Sequence, residues 1–301
     1  MADYLVRALS EDGLIRLLAA VTTETVEEAR RRHDTWPVAT AALGRALTAA
    51  ALLGANLKGR ETLVLRIAGG GPLGTITAET DGEGNLRGYV HHPHVDLPLS
   101  AQGKLDVGAA VGRQGQLVVI RDMGLKEPYV GSAPLVSGEI AEDLTRYLWT
   151  SEQTPSAVAL GVLVAPDGRV QAAGGYLLQL MPATREEHRE QLEENIRNLG
   201  AVSAAIDAGM SPEEMAGRVL AGFAYRILDK QPLRFRCRCS RERVAGVLVS
   251  LGADELRRME QEDGGAEVTC EFCGERYHFT GAELAALREE AAQPPKPARE
   301  E

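Results

Sequence analysis

Cys237-Arg238-Cys239 and, thirty residues further on, Cys270-Glu271-Phe272-Cys273-Gly274 hold all four cysteines of the chain. Two closely spaced pairs on facing turns supply the four soft ligands that a tetrahedral Zn²⁺ takes at about 2.3 Å, with no need of a large core. Gly274 suits the second turn, because glycine enters the positive φ that lets backbone curl around a metal. The first pair is different. Its C-x-C spacing sets two sulfurs on neighbouring positions instead of across a relaxed C-x-x-C turn, and invites redox chemistry. Three readings compete for these thiols: a structural zinc ribbon, a zinc-dependent redox switch, and structural disulfides. No N-terminal stretch shows the basic start, apolar run and cleavage site of a secretory leader, so a cytoplasmic, reducing setting is expected, where stable disulfides are rare.

A chain of 301 residues is too long for one modest core and suits one large domain with smaller pieces attached. The hydrophobic share of 44% predicts a packed core, and the aromatic share of 4% predicts that Ala, Val, Leu and Ile build it. The formal net charge of −10 argues against nonspecific nucleic-acid binding, which rests on clustered Lys and Arg. The most membrane-like run, Val38 to Leu57, is alanine-rich and carries Arg45, Thr48 and Asn56. It reads as a buried helix, and no membrane partner is expected.

Along the chain, Tyr4 to Leu9 and Leu14 to Ala20, joined by Asp12-Gly13, read as a strand pair. Glu24 to Asp34 starts helical, and Pro37 fits the first turn of a long helix through Leu57. Short β runs follow at Leu63 to Ala68, Leu73 to Glu79, Leu86 to His91 and Leu117 to Arg121, separated by Gly- and Asp-rich turns, as in antiparallel sheets. Gly69-Gly70-Gly71 runs into Pro72 without the Gly-Lys-Ser/Thr of a phosphate loop, and reads as a turn. His91-His92-Pro93-His94 reads as a strand end halted by proline, not a metal cluster. Ser137 is placed to cap a helix through about Ser151, and Ala157 to Ala165 pairs with Arg169 to Leu178 around Asp167-Gly168. Ser151-Glu152-Gln153 lies outside any G-x-S-x-G elbow. No catalytic residue is assigned, and an enzyme is not expected.

After Met181-Pro182 the composition shifts. Thr184 and Glu187 match a capping box, and the helix Arg185 to Arg197 sets charged residues around two large apolar ones, Leu192 and Ile196, so that it has little to bury. Ser211-Pro212-Glu213-Glu214 opens a more apolar helix through Met215, Val219, Leu220 and Phe223. Further on, Ser240 caps a helix to about Ser250 and Asp254 another to Glu262. Val268-Thr269 and Tyr277 to Phe279 form a short hairpin, and Thr280 with Glu283 repeats the capping box. With so few large apolar residues, this last module needs metal to fold. The fold class is α+β. An N-terminal α/β domain with a mainly antiparallel sheet is expected over residues 1–182, a metastable helical linker over 183–230, a four-cysteine zinc-binding domain over 231–290 and a disordered tail over 291–301.

The wording around the cysteines is specific: Cys237-Arg238-Cys239-Ser240 with Glu242 and Val244, then Cys270-Glu271-Phe272-Cys273-Gly274 with Tyr277 and Phe279. Together with Gly138-Glu139-Ile140-Ala141-Glu142-Asp143, Ser151-Glu152-Gln153 with Pro155-Ser156, and Gly174-Gly175 with Gln179, Met181 and Pro182, it resembles the redox-regulated heat-shock chaperone family of bacteria, the 33-kDa holdases. The resemblance covers nearly the whole chain in order. It implies an ATP-independent holdase for unfolded or misfolded clients, quiet when reduced and bound to one Zn²⁺ per chain, active as an oxidised, usually dimeric species. It carries metal-ligand and redox roles to Cys237, Cys239, Cys270 and Cys273 alone.

In that reading Arg234, Arg236, Arg238, Arg241 and Arg243 favour thiolate at the first pair, and oxidants prefer thiolates. A cysteine oxidised to sulfenic acid is captured by a neighbouring thiol, and the resulting disulfide is a poor metal ligand. Proximity in sequence favours Cys237 with Cys239 and Cys270 with Cys273. Loss of a metal worth about 10–16 kcal/mol of apparent binding free energy unfolds the module. The linker then loses a docking surface and exposes Leu192, Ile196, Val219 and Phe223. The alternative is a zinc-ribbon nucleic-acid-binding protein with a purely structural zinc site. The arginines around Cys237 favour it locally, but residues 231–301 hold 11 Lys and Arg against 14 Asp and Glu, net −3.

Overall fold

The structure, a computed structural model, describes residues 2–292 and divides into two compact units, one ending at Arg236 and the other beginning at Cys237. The first opens with the expected hairpin, β1 (Tyr4–Ser10) and β2 (Ile15–Val21), followed by α1 (Thr23–His33) and α2 (Pro37–Gly54). Then come β3 (Thr62–Ala68), β4 (Thr75–Asp81), β5 (Asn85–Val90), α3 (Val107–Val111), β6 (Gln116–Asp122) and β7 (Tyr129–Pro134). After α4 (Ala141–Thr150) the hairpin β8 (Ser156–Val164) and β9 (Val170–Leu180) forms as its Asp-Gly turn predicts. The segment beyond it supplies α5 (Glu186–Leu199), α6 (Val202–Asp207), α7 (Pro212–Val219), β10 (Tyr225–Pro232) and β11 (Arg234–Phe235).

The strands make two sheets, in the orders β10-β1-β2-β9-β8 and β11-β5-β4-β3-β6-β7. Every pairing is antiparallel except the two-residue parallel contact of β11 with β5. The α+β class with mainly antiparallel sheet is therefore what the chain adopts. Helix α2 is buried nearly all round because both sheets pack on it. Small side chains permit that approach: a Cβ on Gly44 would stand 2.6 Å from a methyl of Val26. By length and composition α2 is the one helix among the described residues that is apolar enough to cross a membrane, and almost all of it lies inside the unit.

Strand alternation gives the five-stranded sheet two apolar faces. Leu5, Leu18, Ala20 and Leu177 face α2, whereas Val6, Ile15, Leu17, Tyr176 and Leu178 face the other way. That second face is covered by Leu192 of α5, Val202 and Ile206 of α6, and Met215, Ala216, Val219 and Leu220 at α7. Helix α5 buries little, as its sequence suggests: of its 14 residues Leu192 and Asn195 are buried, and Asn195 donates from Nδ2 to the carbonyls of Val219 and Ala221. The stretch 183–230 is not helical throughout. From Tyr225 it pairs along β1 as an edge strand.

Within the first unit, local caps differ from expectation at two helices. Ser137 does not cap α4. The fully buried Asp143 does so from inside the helix, its carboxylate accepting the backbone N–H groups of Val136 (2.7 Å), Ser137 (3.0 Å), Gly138 (3.3 Å) and Ile140 (2.9 Å). Thr184 caps nothing, since its hydroxyl donates to the carbonyls of Leu14 and Met181 and α5 starts after Arg185 without a side-chain cap. The box at Ser211 and Glu214 forms as expected. Helix α2 ends at Gly54, three residues before Leu57, and α3 and β7 are elements the pattern did not announce.

The second unit holds α8 (Arg241–Ser250), α9 (Ala253–Glu262), β12 (Gly265–Thr269), β13 (Arg276–Thr280) and α10 (Gly281–Ala291). Its apolar core has five buried members, Val244, Leu248, Leu256, Phe279 and Leu284. Ser240 caps α8 and the Thr280–Glu283 box opens α10, while α9 starts from Gly252, ahead of the expected Asp254. Of the tail expected over 291–301, residues 293 onward lie outside the described residues.

Removing the Asp143 carboxylate strands the buried N–H donors of Gly138 and Ile140 at once, each costing about 1–3 kcal/mol. Asp143→Ala is expected to destabilise the first unit by on the order of 3 kcal/mol, read as a lower urea midpoint. An unchanged midpoint contradicts the assigned role.

Candidate metal centre

Cys237 and Cys239 lie on the extended segment that leads into α8, and Ser240 immediately behind them accepts the Arg243 N–H to start that helix. Cys270 and Cys273 occupy the turn between β12 and β13. There the Cys270 carbonyl accepts from the N–H groups of Cys273 (3.2 Å) and Gly274 (2.8 Å), and the Cys270 N–H donates to Glu275 (2.9 Å). Gly274 adopts φ 71°, the left-handed conformation the knuckle requires.

These two turns bring all four sulfurs within 4.8 Å of one another. Two contacts cross between the pairs, Cys237 to Cys270 at 3.8 Å and Cys239 to Cys273 at 3.4 Å. A tetrahedron with thiolate–metal arms of 2.3 Å has edges of about 3.8 Å, so the spacing and the donor chemistry both fit one thiophilic cation. Among the described residues this is the only group of three or more His, Cys, Asp or Glu side chains placed to hold a metal.

Burial pushes the Cys270 and Cys273 thiols up, and the nearby Cys237 adds to the rise at both. Four like charges in so small a space repel one another unless a cation stands among them. The expectation that nearby arginines favour thiolate is revised by where several of them go. Arg241 stacks on Phe279 at 4.3 Å and pairs with Glu283 at 2.6 Å, Arg243 donates to the Arg238 carbonyl, and Arg234 donates to Asn85. Glu283 is held at about 2 by the Thr280 N–H and then by Arg241.

One contact at the sulfurs had no warning in the cysteine spacing. Tyr277 on β13 donates its hydroxyl to Cys239 Sγ at 3.1 Å, and that bond raises the phenol above its ordinary range. Strand alternation alone puts Tyr277 and Phe279 on one side, without saying that the hydroxyl meets a sulfur.

The remaining candidates disperse. His91 and His92 stack on each other, and His94 pairs with Asp34 at 3.0 Å. A Cβ on Gly69 would stand 2.4 Å from the Gly112 carbonyl oxygen, so the triglycine turn serves close backbone packing. The Ser151 hydroxyl donates to the Ser132 carbonyl, while Glu152 accepts from Arg121 and Tyr147.

The chain matches the family model described as Hsp33 protein over residues 3–280. It is 58% identical over 289 residues to the 33 kDa chaperonin of Symbiobacterium thermophilum, covering 96% of this chain and 98% of that protein. The 33 kDa chaperonin of Geobacillus kaustophilus is 50% identical, with 96% and 98% covered. Among solved structures, the crystal structure of the 33 kDa chaperonin from Thermotoga maritima superposes with a TM-score of 0.90 at 39% identity, over 96% of this chain and 99% of that one.

A hydrogen bond to a thiolate stabilises it and lowers its nucleophilicity. Tyr277→Phe is therefore expected to raise by several-fold the rate at which iodoacetamide alkylates Cys239 in reduced, metal-loaded protein, followed by peptide mapping. An unchanged rate, with the other three cysteines as internal reference, contradicts it.

Proposed function

The chain belongs to the Hsp33 protein family, and from that premise we propose that it is a redox-regulated, ATP-independent chaperone, a holdase that binds unfolding proteins when its four cysteines are oxidised. The observation that carries this reading is the cluster of four sulfurs within 4.8 Å in a unit whose apolar core has only five buried members. Cys237, Cys239, Cys270 and Cys273 are the metal ligands in this reading, with one Zn²⁺ per chain in the reduced form. Bound there, Zn²⁺ supplies the positive charge that keeps four thiolates together and about 10–16 kcal/mol of folding free energy.

Peroxide takes two electrons from one thiolate to give a sulfenic acid. A second thiol attacks that sulfur, water leaves, and a disulfide remains. Complete oxidation to two disulfides uses two peroxides and four electrons. The proposed pairs are Cys237–Cys239 and Cys270–Cys273. Once the metal no longer ties the two turns together, only the short loops hold sulfurs close.

The residues just before Cys237 suggest how the change travels. Leu233 N–H donates to Asp3 (3.0 Å), Arg234 N–H to Gly84 (3.1 Å), Arg236 N–H to Leu86 (2.8 Å), and Arg234 Nε to Asn85 (2.7 Å). This short latch is the last secondary structure before the first cysteine, and it follows directly on the edge strand β10. An unfolded cysteine module pulls on the latch, β10 frays from β1, and α5–α7 lose their anchor. The surface so bared is the second face of the five-stranded sheet, with Ile15, Leu17, Tyr176 and Leu178, together with the inner sides of the helices, Leu192 and Val219 among them.

In this account residues 1–182 form the body, 183–230 the releasable strap, 231–290 the switch and 291–301 a tail. The active form is a homodimer, the setting is the cytoplasm, and neither nucleic acid nor membrane takes part. No client bond is made or broken, so no catalytic residue is assigned. The nucleic-acid alternative is disfavoured by the net charge of −3 over 231–301, from 11 Lys and Arg against 14 Asp and Glu.

Purified protein, reduced and zinc-loaded, is expected to leave a heat-denatured client to aggregate, and peroxide-treated protein to suppress aggregation in step with zinc captured by a chromogenic chelator. Suppression without oxidation, or zinc release without suppression, contradicts the switch. The double variant Cys270→Ser, Cys273→Ser is expected to bind no zinc tightly, to be cut faster within 183–230 by protease, and to protect clients without oxidant. Unchanged zinc stoichiometry and protease resistance would defeat that expectation.

The latch has its own test. Gly84 has φ +77°, and a Cβ there would stand 2.2 Å from the Pro232 carbonyl oxygen. Gly84→Ala is expected to keep one zinc per chain yet to protect clients at lower peroxide than the parent. An identical peroxide threshold would remove the latch from the account.

A further inference from the structure

A cavity of about 210 Å³ opens in the first unit, where the ends of β2 and β9 meet the C-terminal turn of α2, β6 and α4. Three arginines converge on this end of the core. Arg7 is paired with Asp229 and also donates to the Ala55 carbonyl at 2.9 Å. Arg121 is paired with Glu152 at 2.6 Å, and Glu152 also accepts the Tyr147 hydroxyl. Arg16 has no such counterion. Its Nε and Nη2 both donate to the side-chain oxygen of Gln179, its cross-strand neighbour, and among the described residues no carboxylate lies within ion-pair distance of it.

Arg16 is half-buried on the inward face of β2, the face that also carries Leu18 and Ala20 into the core. A guanidinium in that position gives up part of its hydration, and the Nε and Nη2 edge meets a single neutral amide oxygen in its place, which is poor compensation for a charge. Burial and the neighbouring Arg7 hold Arg16 below its ordinary range. The rest of the wall is largely apolar, with Leu18, Leu52, Leu53, Leu148 and Leu177 beside the cation. Two carboxylates, Glu61 and Glu152, also line the cavity. Glu152 is neutralised by Arg121, and Glu61 accepts the Lys58 N–H at 2.8 Å. With Arg16 and Arg121 against Glu61 and Glu152 the charged lining is balanced, which disfavours a dianion such as phosphate more than a single carboxylate placed on the guanidinium of Arg16.

We propose that this cavity binds a carboxylate bearing an apolar chain, with the carboxylate on Arg16 and the chain along Leu18, Leu52, Leu148 and Leu177. Arginine presents a planar fork that matches a carboxylate, and a leucine-lined wall beside it suits an alkyl substituent. Two sources offer this chemistry: a free medium-chain acid and the C-terminus of a peptide ending in an apolar residue. The site is independent of the cysteines, and its test does not depend on the redox reading.

The reduced, metal-loaded full chain is titrated calorimetrically with octanoate, with octanol and octylamine as chain-matched controls, and with N-acetyl-leucine to represent a peptide C-terminus. Saturable binding at one site by octanoate or N-acetyl-leucine is expected, the tighter of the two naming the source. Octanol and octylamine are expected to bind at least about tenfold more weakly, the loss that follows from one charge-assisted hydrogen bond. Arg16→Gln is expected to weaken the acid by a similar factor while leaving the alcohol unchanged. Equal binding of octanol and octanoate by the parent chain, no saturable binding of either acid, or undiminished acid binding by Arg16→Gln each overturns the proposal. The comparison of acid with alcohol uses the parent chain and needs no variant to fold.

Discussion

A five-stranded sheet whose strands are apolar on both sides must be covered on both sides, and this requirement shapes the rest of the molecule. One face is satisfied within the body by α2, an alanine-rich helix thin enough to fit between two sheets. The other face, with Val6, Ile15, Leu17, Tyr176 and Leu178, has no cover until the chain passes residue 185 and α5–α7 close over it. That cover is made of short helices with polar outer sides, whose buried side chains come mainly from α6 and α7. Its C-terminal end runs through an edge strand and a two-residue parallel contact before the first cysteine. A cover that continues into an edge strand suits the proposed conditional chaperone, because exposure of a ready-made apolar sheet face requires no new folding.

The second unit meets a complementary constraint. Five buried apolar side chains cannot order some sixty residues without another source of stability. The turns that hold the cysteines are well formed locally, through Gly274 and the Ser240 and Thr280 caps, but they converge on four sulfurs whose charges oppose one another. On the proposed reading a cation resolves that conflict and oxidation removes the charges altogether, so that the four atoms that would stabilise the module are also the ones an oxidant would attack.

Much of this was legible in the residues because the signals were local. The Asp-Gly hairpins, Pro37 at the start of α2, the Ser211 and Thr280 boxes, and Gly274 after the second cysteine pair each follow from short-range chemistry. What escaped depends on distant partners. Where Leu192 of α5 packs was not legible, because its apolar neighbours lie on β-strands far away in sequence. Tyr225 to Pro232 becomes a strand by lying along β1. Asp143 caps α4 from inside the helix, a role that no N-cap pattern at Ser137 discloses, and β7 is a short, largely exposed edge strand ending in proline whose register comes from β6. At the cysteines the spacing pointed to the ligand set, whereas the Tyr277 hydroxyl on Cys239 depends on the three-dimensional course of β13.

The central claim is that oxidation at the cysteines uncovers the second face of the five-stranded sheet while the body stays folded. Amide hydrogen exchange with mass spectrometry, comparing reduced zinc-loaded protein with peroxide-treated protein, tests it most directly. The account predicts that protection is lost across 237–292, falls through β10 and α5–α7, and persists in α2 and in β1, β2 and β9. Protection of α5–α7 that survives oxidation in a sample that has gained holdase activity would contradict it.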